Sequence, residues 1–81
     1  MKVYVKLFAA AKDVVGSDAI TIQVADGATI AEVREALVMA TPGLANIVAH
    51  ALWAVDTEYA AETTPITTKS EIALIPPVSG G

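Results

Sequence analysis

There is no cysteine anywhere in these 81 residues. Disulfides therefore cannot staple the fold, and no set of thiolates can hold a metal. Aromatic side chains are sparse: Tyr4, Phe8, Trp53 and Tyr59 are all there are. Basic residues are also few, five against nine acidic ones, for a net charge of -4. Nucleic-acid phosphates demand basic patches, so this balance argues against a nucleic-acid partner. It suits a partner that presents a basic docking site. No apolar run reaches the ~18 residues of a membrane span. The opening Met1-Lys2-Val3-Tyr4-Val5-Lys6 is too short and too charged for a signal-peptide core. The expectation is a cytoplasmic protein with no membrane partner. Glycine-rich phosphate loops are missing too, because Gly16, Gly27 and Gly43 stand singly in turns.

What is present is apolar: 54% of the residues are hydrophobic, much of it alanine. The length fits one domain, whose core must come from Val, Ile and Leu packing with the four aromatics. Residues 2 to 8 alternate, with Val3, Val5 and Leu7 on one parity and Phe8 on the other, and this predicts a half-buried strand. Residues 9 to 15 tolerate a helix until Gly16-Ser17-Asp18 breaks the pattern. Ile20, Ile22 and Val24 alternate with polar residues, which predicts a second strand, antiparallel to the first.

Asp26-Gly27 signals a turn, and Thr29 with Glu32 forms a capping box ahead of a helix whose apolar side is Ile30, Val33, Leu37 and Ala40. Thr41-Pro42-Gly43 stops that helix, and a shorter one with Leu44, Ile47 and Val48 follows. Residues 52 to 55 read as a strand and Asp56-Thr57 as a turn. Residues 57 to 70 read as loop with a short edge strand near Tyr59, and residues 71 to 75 as the last strand. Pro76-Pro77 then ends sheet pairing, since neither can donate a ladder hydrogen bond. The expected fold is α+β, a mixed sheet of four to five strands with one main helix across it, and parallel pairing of the first and last strands would make it a ubiquitin-like β-grasp. Residues 1 to 75 would be the domain and 76 to 81 its extended tail.

Side-chain chemistry is thin. His50 is the single histidine and reads as structural or exposed, because zinc needs three or four ligands and a catalytic His needs a nucleophile partner. Asp13/Asp18, Glu32/Glu35 and Asp56/Glu58 look like solvated turns and faces, with Glu32 already occupied by capping. No residues suited to binding a cofactor stand out.

The tail is different. A Gly-Gly pair at a chosen place arises by chance roughly 0.5% of the time, from a glycine usage near 7%. On its own it equally fits a frayed terminus, a cloning remnant or a cut linker. The context raises its value. Ile75-Pro76-Pro77-Val78-Ser79-Gly80-Gly81 leaves a strand, stiffens through two prolines and ends in residues without Cβ. Such an end reaches a narrow channel and leaves its carboxylate open to attack.

At these residues the chain resembles the small subunit of molybdopterin synthase, the MoaD-type sulfur carriers. The resemblance rests on Val5-Lys6-Leu7-Phe8-Ala9, Gly27-Ala28-Thr29 and Ala54-Val55. It rests above all on residues 71 to 81, EIALIPPVSGG. Two departures stand out: Asp56 where the family often has Asn, and Thr68-Lys69-Ser70-Glu71 in place of an Asp-Gly-Asp-Glu turn. The resemblance implies that Gly81, presented by Gly80, is the reacting residue. An adenylating enzyme of the ubiquitin-activating type would use ATP in trans to form an acyl-adenylate at Gly81. A persulfide sulfur donor would convert this to a thiocarboxylate. The tail would then enter the large synthase subunit, in a heterotetramer, and deliver sulfur to cyclic pyranopterin monophosphate in molybdenum cofactor biosynthesis. The chain would do no catalysis alone.

Strand parity turns Phe8 and Ile75 outward, and with Tyr59 nearby they would form a docking patch beside Pro76, Pro77, Val78 and Ser79, although Phe8 and Ile75 equally fit packing against loops. Three alternatives stay open: a carrier for thiamine, tRNA thiolation or cysteine synthesis; a ubiquitin-like protein modifier; or an interaction domain with an inert tail.

Overall fold

The computed structural model describes residues 1–77. Alternation produces the first two strands. β1 (Lys2–Leu7) buries Val3, Val5 and Leu7, and β2 (Ala19–Gln23) pairs with it antiparallel, Val3 opposite Ile22 and Val5 opposite Ile20. Between them lies α1 (Ala9–Val15), capped at its C-terminus by Gly16, whose φ of 78° suits a residue without Cβ. β1 ends one residue before the alternation does. Phe8 is the N-cap of α1, and Ala9 turns left-handed at φ 50°, so the chain leaves the sheet there.

The main helix, α2 (Ile30–Ala40), begins where its capping box predicts. The Glu32 carboxylate accepts from the Thr29 N–H at 3.4 Å. Ile30, Val33 and Leu37 are fully buried beneath it, each contributing about 1.5–3 kcal/mol of burial. Beyond a 3₁₀ turn at Pro42–Leu44 comes α3 (Ala45–His50), which buries Val48.

β3 (Leu52–Val55) and β4 (Glu58–Ala60) form a hairpin, and β5 (Ile72–Ile75) closes the sheet. The strand order is β2-β1-β5-β3-β4, with β1 and β5 parallel at the centre and every other pairing antiparallel. This is the β-grasp expected from the sequence. One sheet face packs on α2, and Trp53, Ile72 and Leu74 join the core from that side.

Residues 57 to 70 hold more than a loop. Ile66 is a core residue, 2% exposed, and its N–H donates to the Ala28 carbonyl at 2.9 Å. The Ile30 and Ala31 N–H groups donate to the carbonyls of Thr64 and Glu62. The segment thus satisfies first-turn donors that α2 cannot satisfy within itself. Arg34 and Glu62 form an ion pair across the same junction. No helix among the described residues is long and apolar enough to cross a membrane.

Candidate functional site

The root of the tail is the end of β5. Because Leu74 faces the core, Ile75 faces the bare side of the sheet and is half-buried there. Pro76 is buried against the body and Pro77 is exposed. Val78, Ser79, Gly80 and Gly81 lie outside the described residues.

The bare face around this root is apolar. Leu52 is paired with Ile75 in the β3–β5 register and is 56% exposed. Continuing the β1–β5 register past Leu7–Leu74 places Phe8, 45% exposed, on the other flank of Ile75. The left-handed Ala9 just after it turns the backbone away, at a cost of about 1–2 kcal/mol for an L-residue. Phe8 also lines a shallow hollow of about 180 Å³ with Lys6, Ala54 and Ala73, which fixes its side of the sheet. Tyr59, 76% exposed, stands opposite Ala54 on β4, diagonal to Leu52. The structure thus gathers Phe8, Ile75 and Tyr59 on one face, beside the tail root.

Leu52 is the member that sequence reading leaves out. Its signal is parity: Trp53 is buried, so Leu52 and Ala54 must face the other way, together with Ile75. Exploiting that requires the β3–β5 register, which the sequence does not supply.

Both departures from the family pattern are accommodated. Asp56 and Thr57 take φ of 51° and 69°, a two-residue hairpin turn with both central residues left-handed. The Asp56 carboxylate accepts from the Glu71 N–H at 2.9 Å, and the Asp56 N–H donates to the Glu71 carbonyl at 2.9 Å. Glu71 is therefore tied to the hairpin, and β5 starts at Ile72. In the second turn, the Thr67 N–H donates to Ser70 Oγ at 2.9 Å while the Ser70 N–H donates to the Thr67 carbonyl at 3.1 Å.

Charged groups lie next to Phe8, since Lys6, Lys12 and Asp18 line a hollow with it. Lys12 and Asp18 pair at 2.8 Å on the exposed α1 side. Their hydrogen bond, then their mutual charge, raises the Lys12 pKa and lowers that of Asp18. His50 is exposed on α3, with Nδ1 3.3 Å from the Asn46 carbonyl. Among the described residues no three metal-ligating side chains come together. Among the described residues, an open concavity of about 500 Å³ lies between α2 and α3.

The comparison that decides the family is a match between residues 5–81 and the ThiS family model. The chain belongs to the ThiS family. This ThiS-family chain is 30% identical over 81 residues to the molybdopterin synthase sulfur carrier subunit of Arabidopsis thaliana. That match covers the whole of this chain and 84% of the relative. Its fold overlays on SAMP1 from Haloferax volcanii at a TM-score of 0.87 and 32% identity, with both chains fully covered. It also overlays, at TM-score 0.71 and 24% identity with both chains fully covered, on a chain from the complex of subunits 1 and 2 of the molybdopterin-converting factor of Helicobacter pylori. That last likeness speaks for the fold alone.

Proposed function

We propose that this protein is the sulfur carrier subunit of molybdopterin synthase, with Gly81 as the residue that carries sulfur. The observation that bears most weight is the full-length likeness to the Arabidopsis sulfur carrier subunit, with a family match running through residue 81. The chemistry of the chain agrees. Its 81 residues contain no cysteine, so a side-chain persulfide is unavailable within them. Among the described residues no three His, Cys, Asp or Glu side chains gather as a metal set.

In this reading a Gly81 carboxylate oxygen attacks the α-phosphorus of ATP on an adenylating enzyme, and pyrophosphate leaves. A persulfide sulfur then bonds to the carbonyl carbon as AMP departs, and cleavage of the S–S bond by a second thiol leaves the thiocarboxylate. The tail delivers that sulfur to cyclic pyranopterin monophosphate inside the large subunit. Electrostatic stabilisation of each transition state falls to the partners. Phe8, Leu52, Ile75 and Tyr59 are the surface the partners grip, and Pro77, Val78, Ser79 and Gly80 lie along the channel. Pro76 anchors the tail from inside the body. ATP acts in trans, and the pathway runs in the cytoplasm.

The test is to append one alanine after Gly81. Adenylate formation, followed as ATP-dependent pyrophosphate release with the adenylating enzyme, is expected to fall to background. Undiminished release would remove Gly81 from its role. A second reading, a protein modifier joined through Gly81 to target lysines, is favoured by the likeness to SAMP1, a small archaeal modifier protein. It predicts a ladder of conjugates in cells that disappears when Gly81 is deleted.

A further inference from the structure

One row of the bare sheet face runs from a charge to an aromatic ring. In the register, Lys6 stands beside Ala73, Ala73 beside Ala54, and Ala54 beside Tyr59. The row crosses β1, β5, β3 and β4, about 14 Å at ~4.8 Å per strand. Its two middle residues are alanines, so it forms a trough with Lys6 as one wall and Tyr59 as the other. Phe8, Ile75 and Leu52 make the next row toward the tail. Lys6 is exposed, and with Phe8 it lines the hollow of about 180 Å³ over Ala54 and Ala73. It also lines a hollow with Tyr4 and Glu71, and another with Phe8, Lys12 and Asp18. The three hollows meet at its side chain.

Among the described residues the Lys6 ammonium has no ion-pair partner. Two carboxylates stand near it. Asp18 is taken by Lys12 at 2.8 Å. Glu71 shares two of the hollows with Lys6 but forms no ion pair with it. Continuing the β1–β5 register back from Val5–Ile72 sets Glu71 beside Tyr4, one row further from the tail. Lys2 lies four residues away along β1, about 13 Å. In the free chain, water solvates the exposed ammonium. A partner seated on Phe8, Ile75, Leu52 and Tyr59 also closes over the trough that Lys6 walls. Water is then removed from the ammonium, and an unpaired charge is costly to take out of water.

We propose, resting on the reading of Phe8, Ile75, Leu52 and Tyr59 as the gripped surface, that Lys6 sets specificity there: the large synthase subunit lays an apolar ridge in the Ala54–Ala73 trough and places a carboxylate against Lys6. The ridge meets the alanine floor and the Tyr59 ring, and the carboxylate meets the ammonium beside Phe8. The chain's net charge of -4 favours basic partners at long range. The carboxylate at Lys6 therefore acts at contact. It fixes the register of docking and excludes surfaces that lack it. A basic group at the same point is rejected by like charge.

The experiment is calorimetric titration of the large subunit with the full chain at low and high salt. Lys6→Met removes the charge and keeps an unbranched apolar stem. At an exposed position it should leave the melting temperature nearly unchanged. It is expected to weaken binding about tenfold or more, because the partner's carboxylate is left buried and unpaired. The natural chain should lose affinity with salt more steeply than Lys6→Met does. Lys6→Arg, which keeps the charge, should retain most of the affinity. Unchanged affinity in Lys6→Met, while Leu52→Asp binds weakly, would overturn the proposal and leave the docking face standing. Unchanged affinity in both variants would remove the face itself, and the role of Lys6 with it. An equal loss in Lys6→Arg and Lys6→Met would show that the stem's packing matters and its charge does not, which also overturns the proposal.

Discussion

Thr57 is a β-branched residue at φ 69°, where such side chains are strained. It stays there because the hairpin joining β3 to β4 has only two residues between its strands, and that turn type needs both left-handed. Asp56 tolerates the conformation better and uses its carboxylate to hold the Glu71 N–H. Thr57→Gly is therefore expected to raise stability by about 1 kcal/mol, the steric relief exceeding the entropy glycine adds to the unfolded chain. Urea denaturation checks the direction; a destabilised variant would mean that the Thr57 side chain makes a contact worth more than its strain. At this scale the sequence is legible where chemistry is local. The capping box at Thr29 and Glu32, the stop at Pro42-Gly43 and the turn at Asp56-Thr57 can all be read directly. The Asp56 to Glu71 bond cannot, since its partners are 15 residues apart and no pattern in either one announces the other.

At the scale of elements, alternation places β1, β2 and β5 with their buried faces. It overruns at the strand ends: at Phe8, where a helix start competes, at Val24, and at Glu71, which is tied to the hairpin. The segment before β5 is harder to read. Thr63, Thr64, Pro65, Thr67 and Thr68 read as loop, and they are loop, but Ile66 among them is core. One buried residue has no periodicity, so nothing in the sequence separates it from a loop isoleucine. Its backbone joins Ala28, while Thr64 and Glu62 cap the start of α2. Ile66→Ala should thus cost about 2–4 kcal/mol, a large part of the stability of so small a domain. Hydrogen exchange should show the loss first at Ile30 and Ala31. A cost under about 1 kcal/mol would mean that the segment merely rests on the helix.

At the scale of the whole molecule, the fold separates its surfaces. One sheet face is sealed by α2, and the other carries Phe8, Ile75, Leu52 and Tyr59 around the tail root. Sequence parity points to Phe8 and Ile75, and Tyr59 is expected beside them; Leu52 needs the three-dimensional register. Leu52→Asp should leave the melting temperature nearly unchanged, because the side chain is more than half exposed. It should lower affinity for the large synthase subunit about tenfold or more, as truncation of an interface anchor does. Unaltered affinity by calorimetry would move the docking surface elsewhere. The parallel β1–β5 pair puts the C-terminal strand at the centre of the sheet, paired on both sides. The central claim is best tested by intact-mass spectrometry of the protein after incubation with ATP, the adenylating enzyme and a persulfide donor. The account predicts a mass gain equal to exchange of one oxygen for one sulfur, located by fragmentation at Gly81 and absent when an alanine follows it. An unchanged mass, or sulfur found at any other residue, would contradict it.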